Sequence, residues 1–211
     1  MRDILFNFLK HTTMKIHTNI TIILDCSGSM DQIKKATIEG FNGFVKEFAS
    51  LDNNTELTLV QFNHKYKLSF QNKNIQDVNP LNDDTYMPSG MTALFDAIGK
   101  SIKHKKILLK SKGSNRQPKH VIVAIITDGF ENSSKAYTRD KISKMINKKV
   151  ENDNWNFMYL GADQDAILEG SRIGISPDYS HNFKASKTGI RNAFKTVLRQ
   201  SKAITQQNTR S

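Results

Sequence analysis

Residues 120–127 read HVIVAIIT, a run in which only the first and last residues are polar. A continuous apolar run of that length is the pattern of a strand covered on both faces. This requirement constrains the chain more than any other feature, because helices must then flank a sheet on both sides. The sequence supplies such helices between its strands. Residues 18–24 form a first strand candidate, and Ile33, Ala36, Thr37, Phe41, Phe44, Val45 and Phe48 then recur at helical spacing, which predicts an amphipathic helix over 31–49. ELTLVQF (56–62) alternates apolar and polar residues, and YKLSF (66–70) follows across the turn NHK as the second arm of a hairpin. Residues 71–91, with Pro80, Pro88 and Gly90, read as a loop, and 92–109 as a helix with Leu94, Ile98 and Ile102 on one face. Ile142, Met145, Ile146 and Val150 mark the helix after the 120–127 strand. WNFMYLGA (155–162) is a strand, 163–173 a helix, and YSHNFKA (179–185) a last short strand. Ile190, Ala193, Phe194, Val197 and Leu198 build the final helix.

Strands alternating with helices predict an α/β fold, a doubly wound and mostly parallel sheet with helices on both faces. The hairpin predicts one antiparallel edge strand. The 211 residues suffice for one sizeable domain. It is expected over 17–205, after a frayed lead-in at 1–16 and before a polar tail at 206–211. The lead-in, MRDILFNFLKHTTMK, has too short an apolar patch for a signal sequence, and Met14 is an alternative start. No apolar run approaches the ~20 residues of a membrane-spanning helix. The lone cysteine, Cys26, excludes an internal disulfide framework and reads as a small buried filler. A reducing cytoplasm is the expected compartment, although a secreted protein without disulfides would look the same. The net charge of +11 admits an acidic partner, nucleic acid or an anionic surface, without choosing among them.

In open sheets of this kind, ligands bind beyond the carboxyl ends of the strands. There the chain concentrates oxygen ligands. The first strand ends in LDCSGSM, giving Asp25, Ser27 and Ser29; IITDGFENSS ends the 120–127 strand and gives Asp128; SGMT leads into the 92–109 helix and gives Thr92. Alternate residues of extended backbone point the same way, so Asp25, Ser27 and Ser29 can face one ion, with Gly28 letting the chain turn between them. Two carboxylates and three hydroxyls, with no imidazole or thiolate, select hard cations. Mg²⁺ fits best, since few charges leave room for the waters it retains; Mn²⁺ and Ca²⁺ are alternatives.

DCSGSM, SGMTALFDAI and IITDGFENSS together resemble the three parts of a metal-ion-dependent adhesion site, the mark of von Willebrand factor type A domains. The family pattern is Asp-x-Ser-x-Ser, a distant Thr and a distant Asp after an apolar strand. Asp25, Ser27, Ser29, Thr92 and Asp128 match it in order, over about residues 17–205. The resemblance implies a six-stranded, mostly parallel sheet. It implies that both serines and the threonine coordinate directly, that the aspartates do so directly or through water, and that a partner's carboxylate completes the shell. Met91 stands where many relatives carry a second glycine. The compact chain resembles free-standing bacterial and phage members of the family.

Other readings of the same residues are weaker. Ser29 and Thr92 could serve as helix caps, but capping alone leaves two acids adjacent without a purpose. Asp96 suits a helix N-terminus, and Asp96 and Glu131 are candidates to support the metal ligands from behind. The six histidines show no ligand spacing, and Trp155 with the 157–159 aromatics belongs to the core. Catalysis lacks a nucleophile paired with a base: CSGSM is not a nucleophile elbow, and Ser27 stands where an aspartyl-phosphate enzyme would carry its second acid. The expectation is therefore a cytoplasmic, non-enzymatic, metal-dependent protein-binding module. The alternative is a basic nucleic-acid-binding protein with a structural metal, using Lys103, Lys105, Lys106, Lys110, Lys112, Arg116 and Lys119 beside Lys184, Lys187, Arg191, Lys195 and Arg199; a metal-assisted hydrolase ranks below it.

Overall fold

The computed structural model describes residues 17–51, 54–111 and 117–207. The expected lead-in, the alternative start at Met14, and Lys112 and Arg116 lie outside these residues. Among the described residues six strands form one sheet: β1 (Thr18–Asp25), β2 (Thr55–Phe62), β3 (Tyr66–Asn74), β4 (His120–Thr127), β5 (Trp155–Ala162) and β6 (Ser180–Phe183). Five α-helices join them: α1 (Lys34–Leu51), α2 (Leu94–Ser111), α3 (Arg139–Asp153), α4 (Ala166–Arg172) and α5 (Lys187–Gln207). The spatial order is β3-β2-β1-β4-β5-β6, with the β2–β3 pair antiparallel and every other pair parallel. The chain builds outward from β1 in one direction and from β4 in the other. The point where the winding reverses therefore falls between β1 and β4, and their carboxyl ends flank the crevice.

Alternation along the strands assigns each face its layer. Ile20, Ile22 and Leu24 of β1 share a core with Phe41, Phe44 and Phe48 of α1 and with Phe194 and Val197 of α5. Ile23 of β1, with Val123 and Ile125 of β4, packs instead with Ile98 and Ile102 of α2 and Ile142 of α3. Phe194 meets Phe41 edge-on at 6.2 Å between ring centroids, and Gly40 of α1 lies directly against it.

Several boundaries differ from the sequence reading. β2 is buried at all but Glu56, because β1 and β3 flank it and helices cover it. β3 runs four residues beyond Phe70, through a bulge that a purely local pattern does not reveal. A 3₁₀ turn over Gly28–Ile33 precedes α1, α4 is confined to seven residues, and α5 continues through Gln207.

Lys105, read from sequence as part of a surface basic patch, is 3 % exposed. On β1 the residues facing α2 are Asn19 and Thr21 as well as Ile23, so this interface is partly polar. The Lys105 ammonium donates to Asn19 Oδ1 at 2.5 Å, to Asn72 Oδ1 at 2.9 Å and to Thr58 Oγ1 at 3.2 Å. The β3 bulge presents Asn72 to it, with that residue held at φ 46°. Lys105→Met is expected to leave Asn19 Oδ1 without this donor, at a cost of about 2–3 kcal/mol. Thermal denaturation should show a fall of roughly 5–10 °C. A change within error would mean that the network contributes no net stability.

Candidate metal centre

The five predicted residues meet at one rim. Asp25, the last residue of β1, is fully buried. Its Oδ1 accepts the Ser27 N–H at 2.7 Å and its Oδ2 accepts the Thr127 hydroxyl at 2.6 Å. The Ser27 and Ser29 hydroxyls lie 3.2 Å apart, and Ser29 donates to Asp128 Oδ1 at 2.7 Å. Ser29 therefore links the ends of β1 and β4 across the crevice. The hydroxyl expected as a helix cap serves a different partner, because the chain enters α1 through the 3₁₀ turn.

Thr92 lies two positions before the first residue of α2, with Ala93 between, and is buried. Its hydroxyl faces Gly129. A Cβ placed on Gly129 would stand 2.9 Å from Thr92 Oγ1 and 3.7 Å from Asp25 Oδ2. Those two oxygens thus share one small space, and the residue after Asp128 leaves it open by having no side chain. This is the observation that fits the site to an ion: donors are oxygen only, they converge from three segments, and a cradle beside them would be filled by any larger residue. Among the described residues no three His, Cys, Asp or Glu side chains gather as a metal site. The hydroxyls are therefore needed to complete any set of ligands here.

Burial pushes the Asp25 carboxyl up to about 6, against the opposing hydrogen bonds from Thr127 and Ser27, with the charge of Asp128 adding to the rise. Burial also raises Asp128, where the nearby charge of Asp163 adds and the Ser29 bond opposes. Two acids that resist ionisation side by side are the arrangement a divalent cation relieves. Burial drives the Cys26 thiol up to about 11, so it is a protonated filler at neutral pH.

The supports of the site were only partly expected. Asn132 accepts the Thr92 N–H at 2.9 Å and donates its own N–H to the Thr92 carbonyl at 3.0 Å. Glu131 accepts from the N–H groups of Phe95, Ser133 and Ser134 and from the Ser134 hydroxyl, at 2.6–2.9 Å. Asp96 accepts from the N–H groups of Lys135, Ala136 and Tyr137, at 2.9–3.2 Å. Burial pushes the Asp96 carboxyl up, but these three donors outweigh it and hold it below its ordinary value. Asp96 and Glu131 thus bind the loop after Asp128 to the first turn of α2, and hold Thr92 and Asp128 in register. Thr127, Tyr86 and Asn132 were missed altogether. Thr127 read as the last strand residue, and only the β1–β4 pairing places it beside Asp25. Tyr86 is fully buried and donates to the Asp25 carbonyl at 2.6 Å, although its segment read as a polar loop.

The same segment is stapled to the first: Ser89 N–H donates to the Cys26 carbonyl at 2.9 Å, and Gly28 N–H to the Gly90 carbonyl at 3.0 Å. Gly90 at φ 73° supplies the left-handed turn here, whereas Gly28 has no such conformation. Beyond the ends of β5 and β6 lies an open cleft of about 1060 Å³, lined by Asp163, Gln164, Asn182, Lys184 and Thr188 among others.

Residues 19–196 match the family model of the von Willebrand factor type A domain. No curated protein matches the chain in sequence. Among solved structures, the mussel byssus proximal thread matrix protein 1 with a zinc-occupied MIDAS motif is similar with a TM-score of 0.63 at 20 % identity, over 87 % of this chain and 48 % of that one. The pilus adhesin SpaC from Lactobacillus rhamnosus GG gives 0.62 at 14 % identity, over 87 % of this chain and 30 % of its own. The vWF domain of the type V pili tip protein Mfa5 from Porphyromonas gingivalis gives 0.61 at 10 % identity, over 91 % and 97 % of the two chains. This chain therefore spans about half the length of the mussel protein and about a third of SpaC.

Proposed function

The chain belongs to the von Willebrand factor type A family, and from that premise we propose that it captures a partner protein through a divalent cation held by Asp25, Ser27, Ser29, Thr92 and Asp128. The observation that carries this reading is the convergence of these residues beside the space that Gly129 leaves open. A bound divalent ion supplies a Lewis-acidic face able to accept a carboxylate oxygen from outside. The chain's own residues orient that face. Thr127 and the Ser27 N–H fix the Asp25 carboxylate, Ser29 ties Asp128 to the β1 end, and Asn132 holds the backbone of Thr92. Mg²⁺ is the cation proposed, on the grounds of few charges and several hydroxyls. The mussel neighbour carries zinc, and that is a property of that protein.

The module is a binder and not an enzyme in this reading, on the ground that the sequence offers no nucleophile paired with a base. A cytoplasmic location belongs to the same reading and rests on the lone buried Cys26; two of the neighbours are pilus proteins. Among the described residues no helix is long and apolar enough to cross a membrane. The nucleic-acid reading loses part of its footing, because Lys105 is buried, Lys103 lies over the Tyr137 ring and Arg191 pairs with Glu39.

Affinity capture from a nuclease-treated lysate, run in Mg²⁺ and in EDTA, tests the proposal. Partner retention is expected to vanish in EDTA and with Thr92→Ala at every salt concentration, because both remove short-range coordination. Glu substitutions at Lys106 and Lys110 should matter less as salt rises above ~0.15 M, where charges more than about 8 Å apart are screened. Tight nucleic-acid binding that ignores EDTA and falls steeply with salt would overturn the proposal.

A further inference from the structure

Three large apolar side chains stand exposed on the loops that build the metal centre: Met87 at 60 %, Met91 at 57 % and Phe130 at 59 %. Isolated exposed apolar residues are ordinary, but a group gathered around one polar site is not. Their placement follows from the hydrogen bonds already described. Met87 and Met91 bracket the segment stapled to Cys26 and Gly28, so they lie beside the Asp-x-Ser-x-Ser turn. Met91 adjoins Thr92, and Phe130 adjoins Gly129, whose backbone faces the Thr92 hydroxyl. Paired hydrogen bonds between Thr92 and Asn132 join the loop that carries Met91 to the loop that carries Phe130. Where many relatives carry a second glycine, this chain's Met91 projects its side chain into solvent.

We infer that this collar selects the partner: the segment captured here carries an Asp or Glu between bulky apolar residues, its carboxylate directed to the metal centre and its apolar neighbours covering Met87, Met91 and Phe130. The inference rests on the reading of the site given above and adds the chemistry of the occupant. Continuity supports it, since Met91 adjoins Thr92 and Phe130 adjoins Gly129 in the chain, so an occupant that reaches the Thr92 and Asp25 oxygens comes beside these exposed side chains. Charge supports the acid, because the chain carries a net +11 and Lys67 lies within electrostatic reach of Cys26 at the same rim, whereas Lys34 there is paired with Asp83. Methionine suits such a surface, since its flexible, polarisable side chain adapts to varied apolar partners.

The test uses acetylated, amidated peptides Gly-Leu-Glu-Leu-Gly, Gly-Ser-Glu-Ser-Gly and Gly-Leu-Gln-Leu-Gly, titrated into the full chain with Mg²⁺ or EDTA and followed by NMR chemical shifts. The Leu-Glu-Leu peptide is expected to bind about tenfold or more tightly than the Ser-Glu-Ser peptide, and only with Mg²⁺ present. The Leu-Gln-Leu peptide should bind at least tenfold more weakly than Leu-Glu-Leu. Combined Met87→Ser, Met91→Ser and Phe130→Ser should erase the preference for leucine while leaving the Mg²⁺-induced rise in melting temperature unchanged, and Phe130→Leu should retain it. Equal affinity for the two Glu peptides, or no Leu-Glu-Leu binding at millimolar concentration, overturns the inference while an intact Mg²⁺ response leaves the metal site standing. Equal binding of the Gln peptide also overturns it. Loss of the Mg²⁺ response in the unmodified protein overturns the underlying reading itself.

Discussion

Asp25→Asn is expected to raise the melting temperature of the metal-free protein near pH 7.5 and to abolish its further rise with Mg²⁺. The two effects share one cause. Asp25 is fully buried and burial lifts its carboxyl from 3.8 to about 6, so ionising it in the fold costs on the order of 3 kcal/mol. Asparagine removes that charge and still satisfies the neighbours. Its oxygen keeps the Ser27 N–H, its amide donates to Thr127 Oγ1, and the Thr127 hydroxyl turns to the Gly129 carbonyl, 3.0 Å away. A gain of about 1–3 kcal/mol corresponds to roughly 2–10 °C in a domain of this size. An ion present at a hundred times its dissociation constant adds about 2.7 kcal/mol to the native protein, and the variant should not receive it.

The pH dependence has a definite sign. Since the folded pKa lies above the unfolded one, the native state holds more protons between them, and stability falls as pH rises through about 4 to 6. The cost is absent below that window and complete above it. The metal-free wild type should therefore lose stability across the window relative to Asp25→Asn, and the Mg²⁺ response of the wild type should grow as protons cease to compete. Melting curves from about pH 3.5 to pH 7.5, with Mg²⁺ and with EDTA, measure all of this. A variant that retains the full Mg²⁺ response would remove Asp25 from the ligand set.

Glu131→Ala should weaken Mg²⁺ or Mn²⁺ binding by ten- to a hundredfold while the fold persists. Glu131 is not one of the five oxygen donors proposed for the ion. Its carboxylate gathers donors from both sides of the crevice: the Phe95 N–H at the start of α2, and the Ser133 and Ser134 N–H groups and the Ser134 hydroxyl from the loop after Asp128. Removing it loosens that loop against the helix carrying the Thr92 end of the site, although Asp96 and Asn132 still tie the two together. The loss of charge-assisted helix capping should cost about 1–3 kcal/mol, a few degrees in EDTA. Gln is expected to recover only part of the affinity, because its amide can accept from the serines but presents a donor to Phe95. Calorimetric titration with Mn²⁺, beside melting in EDTA, separates affinity from stability. Unchanged affinity with a lowered melting temperature would assign Glu131 to the helix alone.

The parts of the molecule that were legible without the structure are those whose cause is local. HVIVAIIT announces a strand covered on both faces, and the spacing from Ile33 to Phe48 announces the helix packed against the sheet. Asp25, Ser27 and Ser29 stand two residues apart, Asp128 follows an apolar strand and Thr92 precedes a helix, so each part of the site had its own nearby signal. Residues whose role depends on a partner far along the chain had none. Lys105 carries the same composition signal as its exposed neighbours, and only the packing of α2 over Asn19 and the bulged Asn72 makes it an interior ammonium. Glu131 meets Phe95, and Asp96 meets Tyr137, across separations of 36 and 41 residues that no period encodes. Thr127 became a partner of Asp25 because β4 lies beside β1 in register. The apolar collar arose when hydrogen bonds brought two loops to one rim. Periodicity reports which face of an element is buried, since that is a property of neighbouring residues. Which groups meet across elements is decided by sheet order and register, and these exist only once the chain has folded.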